Sequence, residues 1–182
     1  MRELYRTDFH PAQTGALVIH CSDARYRPCF QRFVEECAKP GAWQLLALPG
    51  GPRTLVPSTS EAAYRTGWLW LEFLIEKGKP PRVLLVAHSD CLWYLEGPCA
   101  ESPSTCLEGQ IEDLRAVGQE LQRRYPELHV ELYYARQDNN QVVFAEVWTP
   151  AGRQPFRSRN ASSISRFASG VKGPRGKRHG PP

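Results

Sequence analysis

Three uninterrupted apolar runs, Ala16–Ile19, Gln44–Leu48 and Arg82–Ala87, constrain the fold of this chain more than any other feature. Each is nearly continuous in Val, Leu, Ile or Ala and does not alternate with polar residues. Strands covered on both faces, as in a parallel sheet, have this pattern. Helical stretches separate them. Cys29–Ala38 is closed by Lys39-Pro40-Gly41, and Glu61–Lys77 is opened by Ser58 or Ser60 and stopped by Gly78 and Pro80. A third helix starts at Ser104-Thr105-Cys106-Leu107-Glu108, runs to about Arg124 and is ended by Pro126. Val130–Ala135 and Val142–Trp148 flank a turn at Asp138-Asn139-Asn140 and read as a hairpin. The expected architecture is therefore α/β. A mostly parallel central sheet is flanked by helices and carries an antiparallel edge strand.

The chain has 182 residues, 41% of them hydrophobic, enough for one domain with a tail. No apolar run approaches the roughly 20 residues of a membrane span, and MRELYRTDFH lacks a secretory apolar stretch. Six cysteines are too sparse for a secreted disulfide scaffold, so a cytoplasmic protein is expected. The net charge of +4 is misleading, because eight of the 23 Lys and Arg lie from Arg153 onward, where Asp and Glu are absent. The remaining 15 basic residues face 19 acidic ones, which argues against a nucleic-acid-binding domain. Expected boundaries are an α/β domain at 1–152, a C-terminal extension at 153–168 and a disordered basic tail at 169–182. Phe156, Ile164 and Phe167 are apolar enough for the extension to wrap a partner subunit.

The helix at 61–77 is apolar nearly all round. Ala63, Gly67, Trp70, Leu71 and Leu74 form one stripe, and Trp68, Leu69, Phe73 and Ile75 leave little polar surface elsewhere. Such a helix is buried on two sides. The sheet covers one; a second copy of the chain, or else the tail or the segment around 96–106, covers the other.

Ligands of an open parallel sheet bind beyond the carboxyl ends of its strands. The first strand here exits into His20-Cys21-Ser22-Asp23-Ala24-Arg25 and the third into His88-Ser89-Asp90-Cys91. Cys21, His88 and Cys91 then converge from neighbouring strand ends, and two thiolates with one imidazole suit zinc at about 2.3 Å (Zn–S) and 2.0 Å (Zn–N). Three protein ligands leave a fourth position for water, as catalytic sites do. Asp23, two residues past Cys21, reaches that position, and Arg25 holds Asp23 by a paired charge.

ALVIHCSDAR (16–25) and VLLVAHSDC (83–91) resemble the two zinc-binding motifs of the β-class carbonic anhydrases, C-x-D-x-R and H-x-x-C. The order of elements over about residues 12–150 is also similar, including the closing hairpin. The resemblance implies Zn2+ on Cys21, His88 and Cys91, an Asp23–Arg25 dyad that orients the reacting hydroxide, and reversible hydration of carbon dioxide to bicarbonate. It also implies an aspartate that in some members swings onto the metal, and dimers built through the helix at 61–77. Gln13 lies one residue from a substrate-orienting glutamine of one subgroup. The chain departs from the family where Gly normally follows the second zinc cysteine. Leu92 stands there, offering its backbone amide to substrate, and Trp93 and Tyr94 follow. Leu48-Pro49-Gly50-Gly51-Pro52-Arg53 replaces a polar glycine loop of the family.

Two other readings use the same residues. Cys21 and Arg27 spell the H-C-x5-R spacing of cysteine-dependent phosphatases, against which stand Asp23, the lack of Gly in the loop and Pro28 after the arginine. A catalytically silent zinc-bound scaffold fits a pocket closed by Leu92 and the altered glycine loop. Cys29 and Cys37 read as core or surface thiols. Cys99 and Cys106 read as free thiols in preference to a disulfide or a second metal site.

Overall fold

The computed structural model describes residues 4–9, 11–38, 41–100 and 106–147. Five strands form one sheet in the order β2-β1-β3-β4-β5. The strands are β1 (Thr14–Cys21), β2 (Ala42–Leu48), β3 (Arg82–His88), β4 (His129–Asp138) and β5 (Gln141–Glu146). The pairs β1–β2, β1–β3 and β3–β4 are parallel and β4–β5 is antiparallel, the expected class. The extension and tail expected at 153–168 and 169–182, with Phe156, Ile164 and Phe167, lie outside the described residues, as does Trp148.

Burial follows strand position. Ala16 to Ile19 and Val83 to Val86 have no exposed surface, because β1 and β3 are central and helices cover both faces. Successive side chains point to opposite faces, so Leu17, Ile19, Val83, Leu85 and Ala87 meet α2 (Glu61–Gly78) and α4 (Cys106–Arg124). On the other face Phe30 of α1 (Arg27–Phe33) packs with Val86 and Ala135. A π-helical turn, Val34–Ala38, continues α1. The run Gln44–Leu48 departs from expectation. Strand order leaves β2 at the sheet edge, so only Leu46 is buried and Leu45 is 45% exposed.

Ser60 caps α2 by accepting the Ala63 amide. The buried stripe of α2 is Gly67, Trp68, Leu71 and Ile75. The two tryptophans therefore trade the places given them by sequence spacing. Trp68 faces inward and donates its indole N–H to the Leu55 carbonyl, whereas Leu69, Trp70 and Phe73 remain exposed. Two short elements were not anticipated, a 3₁₀ turn at Gly51–Leu55 and the single helical turn α3 (Leu92–Leu95). Both flank the carboxyl ends of β1 and β3. Among the described residues no helix is long and apolar enough to cross a membrane.

Candidate metal centre

Parallel pairing of β1 and β3 brings their carboxyl ends together. Cys21 closes β1, His88 closes β3, and Cys91 lies on the turn into α3. All three are buried, and their ligand atoms lie within 4.8 Å of one another. The two sulfurs are 3.9 Å apart. Two thiolates on a tetrahedral zinc at about 2.3 Å would be separated by roughly 3.8 Å.

The imidazole is prepared for the same role. His88 Nδ1 lies 2.8 Å from the Ser89 carbonyl oxygen. A carbonyl only accepts, so Nδ1 carries the proton and Nε2 keeps its lone pair. Nε2 is buried without a hydrogen-bond partner, and such an atom costs free energy unless something ligates it. The residues present therefore fit a zinc ion.

Backbone amides serve the sulfurs, that of Asp23 on Cys21 and those of Trp93 and Tyr94 on Cys91. The thiols behave as a pair. The hydrogen bond from Cys91 pulls Cys21 toward thiolate, and that same bond with burial pushes Cys91 up. A divalent cation would take both as thiolates.

Beside this cluster stands the dyad. Asp23 Oδ1 accepts the Arg25 backbone N–H at 2.9 Å, a turn in which the aspartate replaces a backbone carbonyl. The guanidinium adds Nε to both carboxylate oxygens at 3.1 Å and Nη2 to Oδ2 at 2.6 Å. These bonds hold the Asp23 carboxyl below its usual range. A second acidic group completes the cluster, since Arg25 Nη1 donates to Asp90 Oδ2 at 2.7 Å. Sequence spacing had not singled out Asp90. It stands in H-S-D-C, but nothing local joins it to an arginine 65 residues away.

The glycine loop abuts the cluster. Gly50 and Gly51 have φ of 75° and 57°, backbone that favours glycine. A Cβ at Gly51 would stand 2.8 Å from the Cys21 nitrogen, and one at Gly50 would meet Trp93 at 2.9 Å. Trp93 thus seals against the loop. Tyr94 turns into the interior and donates to Asp113, which also pairs with Arg53 of the loop. Gln110, another buried residue not anticipated, donates to the His88 carbonyl and accepts from Tyr134. It pins the end of β3.

The other candidates are placed as follows. Leu92 opens α3 with its side chain exposed. Gln13 is exposed and precedes β1, at the opposite end of that strand from Cys21, so one chain does not bring it to the cluster. Arg27 begins α1 and is exposed. The loop after Cys21 does not cradle an anion. The Ser22 amide is taken by the Leu48 carbonyl, that of Tyr26 by the Asp23 carbonyl and that of Arg25 by the Asp23 side chain. These engaged amides count against the phosphatase reading. Cys29 is a half-buried free thiol, and the side chain of residue 37 is not among those described. Cys99 and Cys106 form a disulfide, which corrects their reading as free thiols. Both are buried in one cluster with Cys21, Cys91 and Tyr94.

No protein-family model and no curated protein sequence matches this chain. Solved structures do. The β-carbonic anhydrase CafA of Aspergillus fumigatus is 14% identical over 76% of this chain and 78% of its own, with a TM-score of 0.46. Tetrameric β-carbonic anhydrases of Sordaria macrospora are 15% identical over 75% of this chain and 82% of theirs, with a TM-score of 0.44. An isoform from Trichomonas vaginalis is 11% identical over 80% and 90%, with a TM-score of 0.43. At such identities only the outline of the fold is compared, and the chemistry of this chain rests on its own side chains.

Proposed function

We propose that the chain is a zinc-dependent lyase that hydrates carbon dioxide reversibly to bicarbonate. The observation that carries this reading is the buried Cys21–His88–Cys91 cluster with an unpartnered His88 Nε2, next to an aspartate already held by an arginine. Cys21, His88 and Cys91 would hold the ion, and zinc so bound supplies a nucleophile at neutral pH by acidifying water from 15.7 to about 7. The protein's part is orientation. Asp23 stays ionised through the neutral range because Arg25 holds its carboxyl down, so it accepts a hydrogen bond from the attacking oxygen and aims a lone pair at carbon. Arg25 keeps that carboxylate engaged and away from the ligand position. The Leu92 amide is the proposed contact for a substrate oxygen. Water and carbon dioxide give bicarbonate and one proton, which leaves to solvent.

A second copy is the proposed partner. Leu69, Trp70 and Phe73 leave an apolar patch on α2, exposed at 61%, 49% and 49%. Sedimentation should show a dimer that Trp70→Glu dissociates; a monomer at every concentration would refute it.

Stopped-flow carbon dioxide hydration of zinc-loaded protein between about pH 6.5 and 9 tests the activity. Turnover above buffer, lost with the zinc in Cys91→Ser, is expected. Zinc-replete protein with no turnover would favour the silent scaffold, a reading supported by Trp93 closing over Gly50.

A further inference from the structure

We infer that Asp90 is a positioning residue that ties the Asp23–Arg25 dyad to the strand bearing His88, and so keeps Asp23 off the metal. This rests on the zinc reading above and assigns a role to a residue which that reading leaves idle.

Asp23 and Arg25 belong to one loop, so bonds between them cannot fix the pair against the rest of the site. The Arg25 side chain is 53% exposed, so burial does not hold it in place. Its bonds to another element all go to Asp90: Nη1 to Oδ2 at 2.7 Å and Nη2 to the backbone carbonyl at 3.1 Å. Asp90 is itself held. Its Oδ1 accepts the Tyr26 hydroxyl at 2.6 Å, and that hydroxyl also meets Ser89 Oγ at 2.9 Å. The Tyr26 ring packs against His88 with centroids 4.2 Å apart. Ser89 in turn accepts the Gln137 amide. A continuous set of bonds therefore runs from β4 through the β3 exit to the guanidinium and on to Asp23. Without the charge on Asp90 that set ends one bond short, and the dyad moves as a loop.

Asp90 has φ of 50°, a left-handed backbone that Asp and Asn tolerate better than most residues. Asp90→Asn therefore keeps the turn and removes the charge. Charge-assisted hydrogen bonds are about twice as strong as neutral ones, so this one atom exchange weakens the tether selectively.

The test uses the full chain loaded with Co2+, whose visible absorption reports thiolate ligation and coordination directly, and azide as the probe of the open position. Wild-type protein should show thiolate-to-cobalt absorption that azide shifts. In Asp90→Asn the spectrum should change as the Asp23 carboxylate enters, and the azide response should weaken roughly tenfold or more, the worth of one hydrogen bond to a charged group. Asp23→Asn placed on top of Asp90→Asn should restore the azide response, which a loosened fold would not do. Tyr26→Phe keeps the ring and loses only the hydroxyl on Asp90. It should shift the response in the same direction, less far, and serves should Asp90→Asn fail to fold. An Asp90→Asn spectrum and azide response equal to wild type would overturn this inference alone. Absence of thiolate-to-cobalt absorption in wild type would overturn the metal reading and this inference with it.

Discussion

Two arginine–carboxylate clusters occupy opposite ends of the same sheet, and their surroundings differ. At the amino end Arg82 pairs with Glu131 at 3.1 Å, with 11% and 4% of the two side chains exposed. Tyr133 completes it by donating to Glu131 Oε2 at 2.7 Å. At the carboxyl end Arg25 is 53% exposed and is shared between Asp23 and Asp90. Removing one partner of a buried pair strands a charge in the interior, whereas an exposed pair contributes little to stability. The amino-end cluster therefore holds β3 to β4, and the carboxyl-end cluster sets the geometry of the loop beside Cys21, His88 and Cys91.

The most severe way to probe this contrast is Glu131→Ala. The change removes the shared acceptor of Arg82 and the Tyr133 hydroxyl, and breaking a buried pair in this way should cost about 3–5 kcal/mol. For a chain of this size that lowers Tm by roughly 10 °C, with zinc content and turnover of the folded fraction unchanged. A loss of zinc with no change in Tm would break the comparison.

Asp23→Asn should do the reverse. Turnover falls about a hundredfold, the usual worth of a positioned acid–base group, while calorimetry shows a Tm within about 2 °C of wild type. An unfolded or zinc-free Asp23→Asn protein would mean that the dyad is structural.

Tyr133→Phe sharpens the contrast at one atom. It leaves a buried carboxylate oxygen of Glu131 without its donor, at a cost of about 1.5–3 kcal/mol read by urea unfolding. A cost below about 0.5 kcal/mol would show that water reaches Glu131 after all.

The smallest effect is expected at Glu146, which pairs with Tyr133 across β4 and β5. Burial, then the charge of Glu131, raises its carboxyl above the ordinary 4.5. The folded protein thus binds the proton more tightly than the unfolded chain. That contribution is complete below 4.5 and is lost as pH rises through the raised value. At neutral pH the ionised Glu146 is a cost. Glu146→Gln should raise Tm by about 1–2 °C at pH 7 and leave it unchanged near pH 4. An equal gain at both values would trace it to packing.

Local pattern alone sufficed for much of this molecule. Apolar runs specify β1 and β3, Ser60 marks the start of α2, and Asp138-Asn139-Asn140 announces the hairpin. These signals act within a strand or a helical turn, where neighbours in sequence are neighbours in space. The residue types at two strand exits likewise pointed to Cys21, His88 and Cys91, because parallel strands put their carboxyl ends on one side. Tertiary structure decided the rest. Strand order left β2 at the edge, although its composition matches that of the central strands. Packing against Leu55 turned Trp68 inward and Trp70 outward, a choice that an all-round apolar helix does not encode. The Asp90–Arg25 pair, the Cys99–Cys106 disulfide and the free lone pair of His88 depend on groups facing one another across the fold, or on which atom each finds as a partner. No spacing along the chain records that, since it exists only once the backbone has closed.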